Sequence, residues 1–160
     1  MVDVGDDAPD FAASLVTDDI EPFRLADRVG DGPIVLAFFP AAFSSTCTDE
    51  MRTIRDEFDR FPEACTVLGV STDLPHALAA YREEYDLPFG LVADPDHRAI
   101  EAYDAIADFD HYGVDTVARR SVFVIDADGT VAYRWLADEH GQEPDYAAVA
   151  DAASEVVVPN

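Results

Sequence analysis

The sequence predicts an α/β domain in which helices flank a central mixed sheet, and three observations carry that prediction. Two apolar runs of strand length, Ile34-Val-Leu-Ala-Phe-Phe39 and Cys65-Thr-Val-Leu-Gly-Val-Ser71, bracket a segment with helical spacing, the pattern of a right-handed βαβ unit with parallel strands. Asp128-Gly129 lies between two β-rich runs and predicts an antiparallel hairpin. No repeat, low-complexity linker or composition break divides the 160 residues, so one domain spanning 1–160 is expected.

Each element follows from its own punctuation. Short strands around Phe11 to Leu15 and Pro22 to Leu25, joined by a turn near Asp18 and Asp19, form an N-terminal hairpin. Gly30, Asp31, Gly32 and Pro33 break the chain before the Ile34 run, which Pro40 stops. From Cys47 to Phe61 the apolar residues Met51, Ile54, Phe58 and Phe61 recur at spacings of three and four, one helical stripe among Asp, Glu and Arg. After the Cys65 strand, Asp73 is positioned to cap a helix from Pro75 to Tyr85. Phe89 to Val92 predicts a third short strand, Asp96 to Ala102 a short helix, and Asp94 to Asp96 a turn and cap. Residues 104–118 carry no assignable pattern. Arg120 to Asp126 and Thr130 to Leu136 form the hairpin, and Tyr146 to Val156 is a closing amphipathic helix. Trp135 and Val156-Val-Val158 belong to the core or an interface.

Charge narrows the function classes. Ten basic residues face 34 acidic ones, for a net charge of −24, and the pI is near 4.1. Such a chain is repelled by nucleic-acid phosphates and anionic membranes, where association rests on Lys and Arg, so neither is expected as a partner. All ten basic residues are arginine, and Gln142 and Asn160 are the only neutral amides. Self-repulsion of this size is screened at molar salt, where the Debye length is about 3 Å, so a salt-rich, halophilic cytoplasm is expected. No segment approaches the roughly 20 apolar residues that span a bilayer, and the N-terminus lacks a basic and apolar leader, so a soluble cytoplasmic protein is expected. In that compartment Cys47 and Cys65 are free thiols.

Chemistry concentrates in Pro40-Ala-Ala-Phe-Ser44-Ser-Thr-Cys47-Thr-Asp-Glu50, between the C-terminal end of a buried strand and the first turn of a helix. Ligands bind there in open α/β folds, and the unpaired N–H groups and positive helix end favour a thiolate nucleophile. Arg119-Arg120 opens a later strand that can lie alongside and supply a cation. Pro40, Ser44 and Cys47 together resemble the Pro-x-x-x-Thr/Ser-x-x-Cys signature of peroxiredoxins, the alkyl hydroperoxide reductase and thiol-specific antioxidant superfamily. Gly5-x-x-Ala8-Pro9-x-Phe11, Leu68-Gly-Val-Ser-Thr-Asp73 and Arg120-Ser-Val-Phe-Val-Ile-Asp126 resemble further family motifs in the same order.

The resemblance implies a thioredoxin-like fold with an N-terminal hairpin extension and an antioxidant oxidoreductase that reduces hydrogen peroxide or small organic hydroperoxides. Cys47 becomes the redox-active cysteine that passes through a sulfenic acid, and Ser44 hydrogen-bonds the peroxide. Arg120 stabilises the thiolate and the leaving oxygen, Pro40 shields the sulfur, and Glu50 orients the arginine. Arg120 matches the motif better than Arg119, since neighbouring strand residues face opposite ways. No metal or organic cofactor is implied. The partners implied are the peroxide and an external thiol or thioredoxin-like reductant, and a homodimer is compatible with the family.

Absences bear on how the sulfenic acid is resolved. No cysteine lies near the C-terminus, and position 52, where many bacterioferritin-comigratory-type members place a resolving cysteine, is Arg52. A helix of about 14 residues at 1.5 Å each puts Cys65 roughly 20 Å from Cys47, beyond the reach of a disulfide, so Cys65 reads as structural and the mechanism as one-cysteine. Two other readings compete. The first keeps the fold as a non-catalytic thioredoxin-like binding module. The second takes Asp126-Ala-Asp-Gly-Thr130 for the nucleophile motif of an Asp-dependent phosphatase at Asp126, although only 30 residues follow and they hold no lysine. A disulfide oxidoreductase lacks its Cys-x-x-Cys, and His76, His97, His111 and His140 show no ligand spacing.

Overall fold

A computed structural model describes residues 2–139 and 142–157. His140, Val158 and Asn160, singled out above, lie outside those residues. Nine strands and four helices run β1 (Ala12–Val16), β2 (Ile20–Arg24), β3 (Ile34–Phe38), α1 (Ser45–Asp56), β4 (Thr66–Ser71), α2 (Pro75–Glu84), β5 (Gly90–Ala93), α3 (Arg98–Ala102), β6 (Ile106–His111), β7 (Val114–Ala118), β8 (Ser121–Ile125), β9 (Val131–Leu136) and α4 (Tyr146–Glu155) among the described residues. Seven strands form one sheet in the order β2-β1-β5-β4-β3-β8-β9, and β6 and β7 form a separate ribbon. The β3–β4 and β4–β5 pairs are parallel, while β1, β8 and β9 join antiparallel, which makes the sheet mixed.

Alternation along the central strands divides the core. Val35, Ala37 and Phe39 face the layer of α1, α2 and α4 with Met51, Ile54, Leu78 and Val149. Ile34, Leu36 and Phe38 face the other side, with Tyr103, Ile100 and Phe11. All five β3 residues are buried, which is why that strand reads as an unbroken apolar run rather than an alternating one. The N-terminal motif is structural. Gly5 N donates to Val131 O and Ala8 N to Gly129 O, both at 2.8 Å, and the Phe11 ring packs edge-on against Tyr103.

Several boundaries and two local assignments differ from expectation. The helix predicted over Cys47–Phe61 ends at Asp56, and a 3₁₀ turn, Phe58–Arg60, carries the stripe on. Pro62 disfavours helical backbone at the preceding residue, and Phe61 is accordingly extended at φ −81°, ψ 140°. Asp73 does not cap α2: Leu74 is the cap residue and makes no side-chain bond there. Asp94 behaves as a cap, its carboxylate accepting from the N–H groups of Ala99 and Ile100 at 3.0–3.1 Å, although α3 begins at Arg98. The segment without a pattern, 104–118, is the β6–β7 ribbon, its tip formed by Tyr112 (φ 56°) and Gly113 (φ 77°).

The Asp128-Gly129 hairpin is present with a longer connection than a two-residue turn. Asp126 Oδ1 accepts from Asp128 N at 2.9 Å and Thr130 N at 3.0 Å, so a side chain closes the turn. That engagement, at the end of β8 away from Arg120, gives the Asp126 motif a structural role. Among the described residues no helix is long and apolar enough to cross a membrane.

Candidate active site

The site lies where β3 ends and α1 begins. Ser44 is the extended residue before the helix (φ −74°, ψ 154°), and Cys47 is the third helical residue, inside the turn whose N–H groups lack carbonyl partners within the helix. Cys47, Met51 and Ile54 share the face that α1 buries, so the packing that seats the helix also presses the thiol against the end of the sheet. Cys47 is 1% exposed.

Arg120 arrives from the neighbouring strand. Because β3 and β8 are antiparallel with Phe38 opposite Ser121, the residue before β8 stands beside the C-terminal end of β3. Val122 and Val124 face the α1 side of the sheet, and Arg120 continues that alternation. Arg119 turns elsewhere, donating from Nε to Ala137 O at 2.8 Å. Arg120 Nη2 donates to Cys47 Sγ at 3.2 Å, and Nη1 donates to Glu50 Oε1 at 2.6 Å. Burial opposes the guanidinium charge, but Glu50 and Cys47 beside it prevail and hold its pKa above the usual arginine value.

Glu50, one turn after Cys47, is fully buried. Desolvation pushes its carboxyl up from 4.5 to about 7 against the pull of Arg120, with Glu143 adding like charge. Its Oε2 is buried without a hydrogen-bond partner among the described residues. An acid with one oxygen on a cation and the other facing no donor keeps its proton more easily than an exposed glutamate.

Pro40 is buried and Ser44 half-buried beside the thiol. With Cys47 and Arg120 they line a pocket of about 170 Å³, closed further by Thr46 and Phe109. The Ser44 hydroxyl donates to Ala41 O at 2.7 Å, which commits its proton and leaves its lone pairs as acceptors. The fold thus brings all five residues of the sequence motif together. Phe109 was not foreseen, since it sits in the segment without a pattern; the signal available was the Tyr112-Gly113 turn between two β-prone stretches.

Both cysteines are free thiols. Cys65 lies just before β4, whose first residue Thr66 pairs with Ile34 at the start of β3, whereas Cys47 follows the end of β3. The two therefore occupy opposite ends of the parallel pair. Burial pushes the Cys65 thiol up to about 12, which favours its protonated form over the thiolate.

A buried thiol held by an arginine at the helix-bearing end of a mixed sheet has the surroundings of a reactive cysteine, and the comparisons show the family to which the chain belongs. The AhpC/TSA family model matches residues 4–134. The chain is 32% identical over 136 residues to peroxiredoxin Bcp of Bacillus subtilis, covering 84% of this chain and 85% of that one. It is 36% identical over 132 residues to peroxiredoxin Bcp of Escherichia coli K12, covering 81% and 82%. The crystal structure of peroxidoxin BcpB from Mycobacterium tuberculosis superposes with a TM-score of 0.80 at 27% identity, over 98% of this chain and 97% of the other. The protein belongs to the AhpC/TSA family of peroxiredoxins and is similar to its Bcp-type members.

Proposed function

We propose that residues 1–160 act as one thioredoxin-like peroxiredoxin domain in the cytoplasm, reducing hydrogen peroxide or small organic hydroperoxides through Cys47. The observation that carries the assignment is the 3.2 Å contact between Arg120 Nη2 and Cys47 Sγ in a buried pocket. Thiol-dependent peroxide reduction is the activity of the family to which the chain belongs. A pocket of about 170 Å³ suits a hydroperoxide with a small substituent.

The peroxide enters with its hydroxyl oxygen towards sulfur and its O–H donating to Ser44 Oγ. The Cys47 thiolate attacks that oxygen; the S–O bond forms as the O–O bond breaks, the sulfur keeps an OH group as sulfenic acid, and the alkoxide or hydroxide leaves. Arg120 faces the departing negative charge, which then takes a proton from solvent, and Glu50 holds the guanidinium in that orientation. Pro40 covers the sulfur without offering a donor that competes for it. An external thiol condenses with the sulfenic acid to a mixed disulfide and water, and a second thiol, or the second thiol of a thioredoxin-like protein, releases Cys47. Sulfur supplies both electrons, so the scheme uses no metal or organic cofactor. Every residue named comes from one chain, so a homodimer is compatible with the scheme and not required by it.

Intact mass after one equivalent of hydrogen peroxide, in high KCl, tests this. Wild type and Cys65→Ser gain one oxygen, Cys47→Ser gains none, and Arg120→Met gains it about 10²-fold more slowly. A loss of two hydrogens that needs both cysteines would replace the one-cysteine mechanism, and an unreactive wild type would overturn the activity.

A further inference from the structure

The backbone between Pro40 and Ser44 sets where the walls of the pocket stand, and it is held from outside the motif. Ala42 N donates to Asp73 Oδ2 at 2.8 Å, and the same oxygen accepts from Ser71 Oγ at 2.8 Å. Asp73 N donates back to Ser71 Oγ at 3.3 Å, so the end of β4 presents a prearranged acceptor to the loop. The next loop residue, Phe43, is left-handed at φ 66°, a conformation an aromatic residue adopts only when its surroundings impose it. Its ring meets Tyr81 edge-on at 4.9 Å and lies 6.4 Å from Tyr85, both on or at the end of α2. Tyr81 in turn donates to Thr48 Oγ1 at 3.2 Å, beside Cys47 in the first turn of α1.

We propose that Asp73 is a positioning residue for peroxide reduction: by holding the Ala42 amide it enforces the left-handed bend at Phe43 and keeps Ser44 and the first turn of α1 closed about Cys47. The inference rests on the peroxidase reading of Cys47 and adds a residue that touches neither sulfur nor peroxide. With the acceptor removed, Phe43 relaxes from its bend and the Ser44 wall moves away from the sulfur. Attack on peroxide needs the O–O bond aligned between Cys47, Ser44 and Arg120, so it slows. Alkylation by iodoacetamide needs access more than alignment, and Cys47 is 1% exposed in the closed site, so it quickens. A general loss of folded protein would produce the same two movements, so the rates are compared only among variants whose circular dichroism and denaturation midpoint show them folded at the assay temperature.

The experiment measures two rate constants at Cys47 in a Cys65→Ser background, one for sulfenic acid formation with hydrogen peroxide and one for alkylation by iodoacetamide, by quenched-flow mass spectrometry. Asp73→Ala is expected to lower the first about tenfold or more while raising the second. Asp73→Asn keeps a carbonyl oxygen where Oδ2 accepts both bonds, and it is expected to restore both rates to within about twofold. Ser71→Ala, which removes only the hydroxyl that steadies the carboxylate, shifts both rates in the same directions by less, and serves where Asp73→Ala does not fold. Parallel changes in the two rates, or Asp73→Asn as slow as Asp73→Ala, would overturn the proposal. So would parental rates in Asp73→Ala, and with Cys47 still oxidised in the parent that result would leave the peroxidase reading standing. An unoxidised Cys47 in the parent would overturn both.

Discussion

Glu50 is the residue whose behaviour departs most from its type. An exposed glutamate in a first helical turn is favoured by the helix dipole in its charged form. Here burial dominates, and the carboxyl rises to about 7 although a guanidinium lies 2.6 Å away. The native state therefore keeps a proton that the unfolded chain has already released above about pH 4.5, so this group's contribution to stability is complete at low pH and is lost as pH rises through about 7. Urea unfolding between pH 4.5 and 8 at constant high salt should show that decline, and Glu50→Gln, which stays neutral, should flatten it. An identical slope in the variant would mean that the carboxyl ionises in the native state as it does in the unfolded one. The glutamine also keeps an acceptor for Arg120, so the comparison isolates charge from hydrogen bonding.

At the scale of elements, the site depends on α1 lying close against β3 and β4. Gly69 in β4 permits that approach. A Cβ built there would stand 2.8 Å from Leu91 Cδ2, 3.2 Å from Phe39 Cε1 and 3.3 Å from Met51 Sδ, all side-chain atoms on neighbouring elements. Gly69→Ala therefore overpacks the layer between the sheet and α1 and should cost about 1–3 kcal/mol, read as a lower denaturation midpoint. Since Met51 shares its helix face with Cys47, peroxide reduction should slow as well. Unchanged midpoint and rate would show that this layer has slack. The elements themselves were legible where period and punctuation agree: β3, β4, α2 and the β8–β9 hairpin fall close to expectation, while α1 is present but stops at Asp56, short of its expected end at Phe61. The β6–β7 ribbon was not, because Asp and Thr interrupt its apolar residues out of step with a two-residue period and the ribbon lies outside the main sheet, so burial imposes no clean alternation on it.

For the whole molecule the governing quantity is a charge of −24 on 160 residues. Exposed ion pairs such as Arg24–Asp10 at 2.9 Å contribute little each, and ten arginines cannot offset 34 carboxylates. Screening has to come from the solvent. The melting temperature should rise steeply as KCl goes from about 0.1 M to above 1 M, where the Debye length shrinks from about 10 Å to about 3 Å. A melting temperature that does not move with salt would end the halophilic expectation and leave an acidic protein whose fold tolerates its own charge.

By itself the sequence determined the βαβ core and marked Cys47 and its motif residues as the candidate site, because periodicity, turn chemistry and motif spacing are written locally along the chain. Tertiary structure alone decided what those residues do to one another. Arg120 reaches Cys47 and Glu50 across 73 and 70 residues of sequence, and Asp73 reaches Ala42 across 31. Whether Glu50 is solvated, which way the Ser44 hydroxyl donates and which aromatic side chain closes the pocket depend on burial and on distances of a few ångströms. Those are properties of the packed whole: they arise only once the sheet has brought distant segments into register.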